Sequence, residues 1–184
     1  MIVLDRKSPK LLIIIYLMAF FISGIGIANM KTAFETEIWM RIVTKRFGDI
    51  EVDENSIFRF PKGIIGYENH TKFALVKKEE YEPLYWLISI EGEELSIPIL
   101  PPKIIDSKYD KKLKQFEILR IHTLNGECCL FCVVNLRKSG NGVTINLRSP
   151  IILDTNSKIG QQLIVDSDFL PINQPVSKIS ENAV

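Results

Sequence analysis

Three cysteines lie close together in the second half of the chain, and thiols are well suited to metal binding or nucleophilic catalysis. Cys128, Cys129 and Cys132 form the run Cys-Cys-Leu-Phe-Cys. Zinc sites use spaced cysteine pairs with a second pair elsewhere, and this sequence has no second pair. An odd, clustered set also disfavours a secreted disulfide framework. We therefore predict buried strand cysteines that hold no metal.

Two histidines, His70 and His122, are the side chains best placed in pKa to act as general bases. His122 falls in the predicted strand Phe116–Thr123, beside Arg120, and His70 falls in a predicted loop. A cysteine nucleophile assisted by His122, as in a small hydrolase, is the enzymatic hypothesis that these residues suggest. The sequence contains neither a phosphate-binding glycine loop nor a dinucleotide-binding motif. We predict no catalytic, cofactor-binding or metal-binding residues, and no enzyme.

The charge balance bears on the class of partner. The 184 residues include 23 Lys and Arg and 22 Asp and Glu, which gives a formal net charge of +1. Nucleic-acid-binding proteins usually carry a clear basic excess on one face. We therefore predict no direct nucleic-acid contact and no polybasic membrane patch. The apolar content of 46% suits one packed domain.

The amino-terminal segment Leu11–Met30 carries no charge. Twenty helical residues span about 30 Å, the thickness of a bilayer core. Arg6, Lys7 and Lys10 precede the segment, and Gly26-Ile27-Ala28 resembles a signal cleavage site. This pattern predicts a hydrophobic helix that acts as a signal or membrane anchor and sends the following residues out of the cytoplasm.

A second interpretation is that the start codon has been assigned too far upstream. Met40 stands just ahead of the first predicted strand, where a short form of the chain would begin. We therefore divide the chain into a hydrophobic extension over residues 1–39, a β-domain over residues 40–170 and a loose, proline-broken tail over residues 171–184. Membrane association is expected only if Leu11–Met30 is a real anchor.

The β-domain opens with two alternating segments, Asp49–Asp53 and Ser56–Phe60, followed by a turn between Gly63 and Gly66. Tyr85–Ile90 is apolar on both faces and is predicted to be a central strand. Pro98 cannot donate a ladder hydrogen bond, so Leu95–Ile99 is predicted to be an edge strand or to carry a bulge.

Further strands and turns follow the same reasoning. Ile104–Lys114 has the spacing of a short amphipathic helix or structured loop. The other predicted elements are strands Phe73–Val76, Val143–Leu147, Ile151–Leu153 and Ile159–Val165, a hairpin of Phe116–Thr123 with Glu127–Leu136 across Asn125-Gly126, a turn at Gly140–Gly142 and a break at Ser149-Pro150. About nine or ten short strands predict an all-β domain, either a small antiparallel barrel or a sandwich.

Short motifs are spread in order over residues 41–166. They are Thr44, Phe47 and Gly48; Phe60-Pro61, Gly63, Gly66, Tyr67 and Glu68; Leu87 and Ser89; Pro101 or Pro102 with Tyr109; Thr144, Asn146-Leu147 and Ser149-Pro150-Ile151; and Gly160, Gln161 and Gln162. Together these motifs resemble the flagellar assembly factor FliW family. Tyr67 stands where that family usually has phenylalanine, and Ile88 stands where it has glutamine, which marks a divergent member.

The resemblance implies a fold and a role. The fold is a small antiparallel β-barrel. The role is that of a cytoplasmic, non-enzymatic protein that binds CsrA, an RNA-binding translational repressor, and relieves repression of flagellin mRNA translation. Such proteins also bind flagellin, which competes with CsrA. Membrane anchoring or export through residues 1–30, with an extracytoplasmic ligand, is the alternative.

The residues that would contact these partners are not assigned by the sequence. Complementary charge would favour an acidic edge towards a basic RNA-binding protein. A helix of flagellin would need an apolar groove, for which the glycine loop Gly63–Gly66 and the expected edge at Pro98 are candidates. Three acidic groups are present: Asp49, Glu51, Asp53 and Glu54; Glu79, Glu80 and Glu82; and Glu91, Glu93 and Glu94.

Overall fold

Alternation of apolar and polar residues places most of the domain in strands. The computed structural model describes residues 39–91, 95–114, 128–136 and 142–176. The strands are β1 Trp39–Thr44, β2 Gly48–Asp53, β3 Ile57–Arg59, β4 Lys72–Lys77, β5 Tyr85–Ser89, β6 Ser96–Leu100, β7 Cys128–Asn135, β8 Thr144–Asp154, β9 Ile159–Gln162 and β10 Gln174–Pro175. Three-residue 3₁₀ turns cover Glu54–Ser56, Glu79–Tyr81 and Pro102–Ile104, and helix α1 covers Tyr109–Lys114.

Seven of these strands close into a barrel. They run in the order β9-β3-β4-β5-β6-β7-β8, and β8 pairs again with β9 to complete the circle. Neighbouring strands are antiparallel except at the β3–β9 seam, which is parallel and pairs Arg59 with Ile159. The two-residue β10 adds to β8, and β1 with β2 forms a separate hairpin. The predicted all-β domain with a small, mainly antiparallel barrel is confirmed: the described residues form ten strands, and seven of them make the barrel.

Both faces of the central strand β5 are buried, as its sequence predicts. Leu87 belongs to one hydrophobic cluster, with Phe60 and Phe73, and Trp86 and Ile88 belong to the other. The second cluster also takes in side chains of the β1–β2 hairpin, of helix α1 and of the C-terminal segment. These outer elements therefore pack on the barrel through one face of its sheet.

The prediction that Pro98 marks a sheet edge is wrong. Strand β6 lies between β5 and β7, and Pro98 stands opposite Trp86 of β5. The ladder with β7 includes only Ile99 and Leu100 of β6. Pro98 thus lies just beyond the end of that ladder, where its missing N–H removes no hydrogen bond from the sheet.

The predicted break at Ser149-Pro150 is also wrong, because β8 runs through it as one strand of 11 residues. Pro150 pairs with Cys132 of β7, and the next pair along the ladder joins Ile145 to Val134, so that residues 146–149 stand opposite Val133 alone. This bulge shifts the register by an odd number of residues. As a result Ile145 packs in one hydrophobic cluster and Ile151 in the other, although both are odd-numbered.

The C-terminal part is more ordered than the sequence indicated. Strand β9 ends at Gln162, but Leu163 N donates to Pro150 O and Val165 N to Arg148 O, so the pairing continues to the predicted limit at Val165. Residues 171–176, expected in the loose tail, lie against β8. Leu147 N donates to the carbonyl of Pro171, and Val176 N donates to the carbonyl of Val143.

The predicted helical segment Ile104–Lys114 is confirmed as a 3₁₀ turn followed by helix α1, with Tyr109 and Leu113 buried. Three expectations lie outside the described residues: the hydrophobic helix over Leu11–Met30, the hairpin turn at Asn125-Gly126 with its first strand, and most of the turn at Gly140–Gly142. Within the described ranges, no helix is both long enough and apolar enough to cross a bilayer.

Candidate protein-binding surfaces

The three cysteines differ in their exposure to solvent. All are thiols; Cys132 is buried, Cys128 is half-buried and Cys129 is exposed, so the expected burial is wrong for Cys129. Burial raises the pKa of Cys132 to about 12, against a smaller lowering effect of its hydrogen bond with the hydroxyl of Tyr109. Burial also raises the pKa of Cys128, helped by the nearby carboxylate of Asp154. Raised pKa values disfavour the nucleophilic thiolate.

His70 makes a contact that the sequence did not reveal. Its Nδ1 lies 2.7 Å from Oγ of Ser89, at the end of β5. The same hydroxyl donates to the carbonyl of Glu91 at 3.1 Å and accepts from the N–H of Glu91 at 3.2 Å. Because the hydroxyl proton is donated to that carbonyl, Oγ can only accept from Nδ1–H of His70. In a serine nucleophile the direction is the opposite, since the hydroxyl donates to a basic histidine nitrogen. The arrangement is that of a structural clamp.

The second histidine, His122, lies outside the described residues. In the parts of the chain that are described, no group of three His, Cys, Asp or Glu side chains has metal-binding geometry.

The first two acidic groups are partly neutralised by neighbours. Arg41 forms an ion pair with Asp49 across the β1–β2 hairpin. Glu82 lies 2.7 Å from Nζ of Lys77, and this hydrogen bond raises the pKa of the lysine. These pairs are solvent-exposed and add little stability. Their effect is to reduce the negative field that a basic partner would meet, while Glu51, Glu54, Glu79 and Glu80 remain exposed.

Glu91, in the third acidic group, is a structural residue. Its carboxylate accepts hydrogen bonds from the backbone N–H groups of Thr71 and Lys72 and from Oγ1 of Thr71. The bond from Thr71 N is the main reason why the pKa of Glu91 is lowered. Glu82 and Glu91 lie beyond opposite ends of β5, and Glu93 and Glu94 lie outside the described residues.

Residues of the first family motif shape the β1–β2 turn. Thr44 Oγ1 accepts from Phe47 N at 2.9 Å and donates to Gly48 O at 3.1 Å. Gly48 has φ of 65°, a left-handed conformation that glycine adopts without strain. Phe47 then packs edge-on against Trp86 of the barrel, with ring centroids 5.1 Å apart. The motif therefore fastens the hairpin to the barrel.

The second motif and the last one meet at the β3–β9 seam. A Cβ on Gly160 would lie 2.3 Å from Cζ of Phe60, so only glycine leaves room for this ring. A Cβ on Gly63 would lie 2.5 Å from Cα of Glu68, so the chain can make this close turn only with glycine at position 63. Gln162 accepts from Ile65 N at 2.9 Å and ties the loop to β9. The motif residues thus have structural roles in the packing and loop geometry at this seam of the barrel.

Two large apolar side chains are exposed on or next to the glycine loop, which is one of the two places suggested for an apolar groove. Ile65 and Tyr67 are 52% and 46% exposed. The loop is held by internal hydrogen bonds, including Gly66 N to the carboxylate of Glu68, which lowers the pKa of that carboxyl. The other hypothesis, an open edge at Pro98, does not hold because β6 lies inside the sheet.

A second apolar surface lies where the sequence predicted a helix and a tail. A cleft of about 260 Å³ separates the α1 region from the C-terminal segment. Its sides are lined by Ile105, Asp106, Lys112, Leu147, Phe169, Leu170, Pro171 and Gln174. We name it the α1 cleft. Sequence reasoning missed it, although the apolar run Phe169-Leu170-Pro171-Ile172 beside the polar tail was a visible signal.

Comparisons with known proteins agree with the structural roles of these motif residues. A family model described as "FliW protein" matches residues 41–176. The flagellar assembly factor FliW of Thermotoga maritima is 36% identical over 140 residues, which cover 75% of this chain and 94% of that protein. The protein of the same name from Lachnospira eligens is 34% identical over 146 residues, covering 76% and 96%.

The fold comparison gives the same result. A crystal structure of the flagellar assembly factor FliW superposes with a TM-score of 0.59 at 25% sequence identity. The match covers 74% of this chain and 96% of that chain.

Proposed function

Because the chain belongs to the FliW family of flagellar assembly factors, we propose that it works without chemistry, by binding CsrA and flagellin. In this proposal it binds CsrA and relieves repression of flagellin mRNA translation. Flagellin that accumulates competes for the factor and frees CsrA. The observation that carries the proposal is the family match over residues 41–176, which spans the whole described barrel.

The chemistry of the described residues supports a binding role over a catalytic one. The thiols of Cys128 and Cys132 have raised pKa values, and the hydroxyl of Ser89 is held by backbone groups of Glu91. Large apolar side chains are exposed on the glycine loop and beside the α1 cleft. Exposed apolar patches of this kind commonly mark protein–protein contacts.

The charge pattern makes the proposal more specific. Ion pairs partly neutralise the acidic groups, and the chain carries a net charge of only +1. We therefore expect apolar contacts, rather than charge attraction, to supply most of the affinity for either partner. Dissociation constants measured at about 50 mM and 500 mM salt should then differ by less than roughly tenfold, because salt screens exposed charges and leaves apolar burial intact.

Binding can be tested with purified proteins from the same organism. The chain is mixed with CsrA and with flagellin, and complexes are measured by size-exclusion chromatography and calorimetry. A CsrA–mRNA complex is then titrated with the chain, which should release the flagellin mRNA, and added flagellin should restore the complex. Absence of complexes with both proteins would remove the proposal.

The proposed location is the cytoplasm, where both partners are made. Cell fractionation followed by N-terminal sequencing of the mature protein tests this directly. A chain that begins near Met30 or Met40 in the soluble fraction agrees with the proposal. A mature chain that begins near Asn29 and is found outside the cytoplasm would instead support the exported β-domain.

A further inference from the structure

We propose that the α1 cleft binds one amphipathic α-helix of a protein partner, whose bulky apolar side chains enter the cleft and whose basic residue faces Asp166 and Asp168. The inference rests on the proposed function, because the helix belongs to one of the two proposed partners. It adds the place of binding and the chemistry of the bound segment.

The first observation is a large apolar side chain that is exposed on the wall of the α1 cleft. Phe169 lines the cleft and is 89% exposed. Two other lining residues have an exposed apolar neighbour in sequence: Ile172 follows Pro171, and Ile104 precedes Ile105. A ring as exposed as that of Phe169 beside a cleft is typical of a surface that another protein covers.

The size of the cleft favours side chains over a small ligand. Ligand pockets usually measure about 300–1,000 Å³, and the α1 cleft holds about 260 Å³. Leu147 and Leu170 are buried and form its apolar floor. Space of this size suits one or two bulky apolar anchors of a larger partner.

The backbone around the cleft favours a helix over an added strand. Strand addition needs a row of free N–H and C=O groups on a sheet edge. Pro171 and Pro175 lack an N–H, the carbonyl of Pro171 already accepts from Leu147 N, and Val176 N already donates to Val143 O. A helix satisfies its own backbone and requires only side-chain contacts, so it fits this surface better.

The charges beside Phe169 select a basic residue on the helix. Residues 163–176 contain Asp166 and Asp168 and no Lys or Arg. Both carboxylates are exposed, and Arg148, 3.6 Å from Asp168, also uses its Nε to donate to Leu170 O. On the opposite wall, Lys112 and Asp106 pair with each other at 2.7 Å. The net negative side is therefore the one next to Phe169, which complements Lys or Arg.

The experiment combines a truncation with a contact map on the full chain. Phe169→Ser removes the exposed ring, and Val43→Ser removes an apolar side chain of β1 that is 73% exposed and lies on neither candidate surface, as the matched control. Affinity for CsrA and for flagellin is measured for each variant, and thermal unfolding verifies that both are folded. In parallel, a photoreactive phenylalanine analogue at position 169 is cross-linked to each partner, and the attached segment is identified by mass spectrometry.

We expect Phe169→Ser to weaken the binding of one partner roughly tenfold or more, as removal of an apolar anchor does, and Val43→Ser to change that affinity by less than about twofold. The cross-linked segment should be helical and should carry Lys or Arg beside its apolar face. Unchanged affinity of Phe169→Ser for both partners would overturn the inference and leave the proposed function standing. So would a cross-link to an extended segment or to a second copy of this chain. If the unaltered chain binds neither protein, the proposed function fails and the inference falls with it.

Discussion

Replacing Gly160 by alanine tests the contact that closes the barrel. The new Cβ would lie 2.3 Å from Cζ and 2.4 Å from Cε2 of Phe60, whereas carbon atoms normally approach to about 3.5–4.0 Å. Phe60 is fully buried and packs edge-on against Phe73 with ring centroids 5.2 Å apart, so the ring has little room to move away. The backbone at Gly160 has no left-handed φ, and steric overlap is therefore the main unfavourable effect.

Two opposing effects determine how much Gly160→Ala changes the free energy of unfolding. Alanine in a strand is better than glycine by roughly 0.5–1 kcal/mol, and overpacking a buried site costs about 1–3 kcal/mol. The overlap prevails, and we expect Gly160→Ala to lower the free energy of unfolding by about 1–2 kcal/mol. For a chain of this size that corresponds to a decrease in Tm of roughly 2–8 °C.

Urea unfolding of the two purified proteins, followed by tryptophan fluorescence, measures the difference. A double-mutant cycle with Phe60→Leu isolates the contact, because the smaller side chain makes room for the methyl group. The double variant should lose less stability than the sum of the single variants. A Gly160→Ala protein that is more stable by about 0.5–1 kcal/mol would refute the reasoning, since strand propensity alone would then explain it.

Three further predictions concern buried polar groups and thiols. Tyr109→Phe should cost about 1–3 kcal/mol in urea unfolding, because it removes the 2.6 Å hydrogen bond to the buried carbonyl of Leu147. Glu91→Gln should lower stability at pH 7, and the difference from the unaltered chain should shrink as the pH falls below about 4, since the pKa of Glu91 is lower in the folded chain and its contribution is lost on protonation. Cys129 should react with a thiol reagent in the native protein, whereas Cys132 should react only after unfolding.

Each of these three predictions has an outcome that would contradict it. A Tyr109→Phe protein as stable as the original would show that the carbonyl finds another donor. A stability difference for Glu91→Gln that stays constant from pH 7 to pH 3 would contradict the role of the carboxylate. Equal labelling rates for Cys129 and Cys132 in the native protein would contradict the burial of Cys132.

The strands were predictable where alternation and burial act locally. The alternating residues of β2 and the two-sided apolar pattern of β5 contain the information that fixes those strands. Pro98 and Pro150 misled the prediction because the effect of a proline depends on which side of the strand has a neighbour. Pro98 lies past the end of a ladder, and Pro150 lies next to a bulge, and both facts are set by pairings distant in sequence.

The binding surfaces were less accessible to sequence reasoning. The glycine loop was predictable because Gly63 and Gly66 lie close together in the chain. The α1 cleft combines residues 105–112 with Leu147 and residues 169–174, which are brought together only by the closed barrel. The acidic groups were visible in the sequence, but the partner of Glu91 at Thr71 lies 20 residues away. An acidic side chain that looks like part of a binding surface in the sequence can therefore serve instead to hold two backbone segments of the fold together.

The parallel seam has a consequence for how the protein is made. Arg59 of β3 pairs with Ile159 of β9. Strand β3 therefore has no neighbour on this side until the ribosome has added residues 100 positions later in the chain. At a synthesis rate of about 5–20 residues per second, that interval lasts roughly 5–20 s. During this time the outer side of β3 stays uncovered in the nascent chain and open to unwanted strand pairing. The circle of strands can thus be completed only after β9 has been made, and not during the first collapse of the chain.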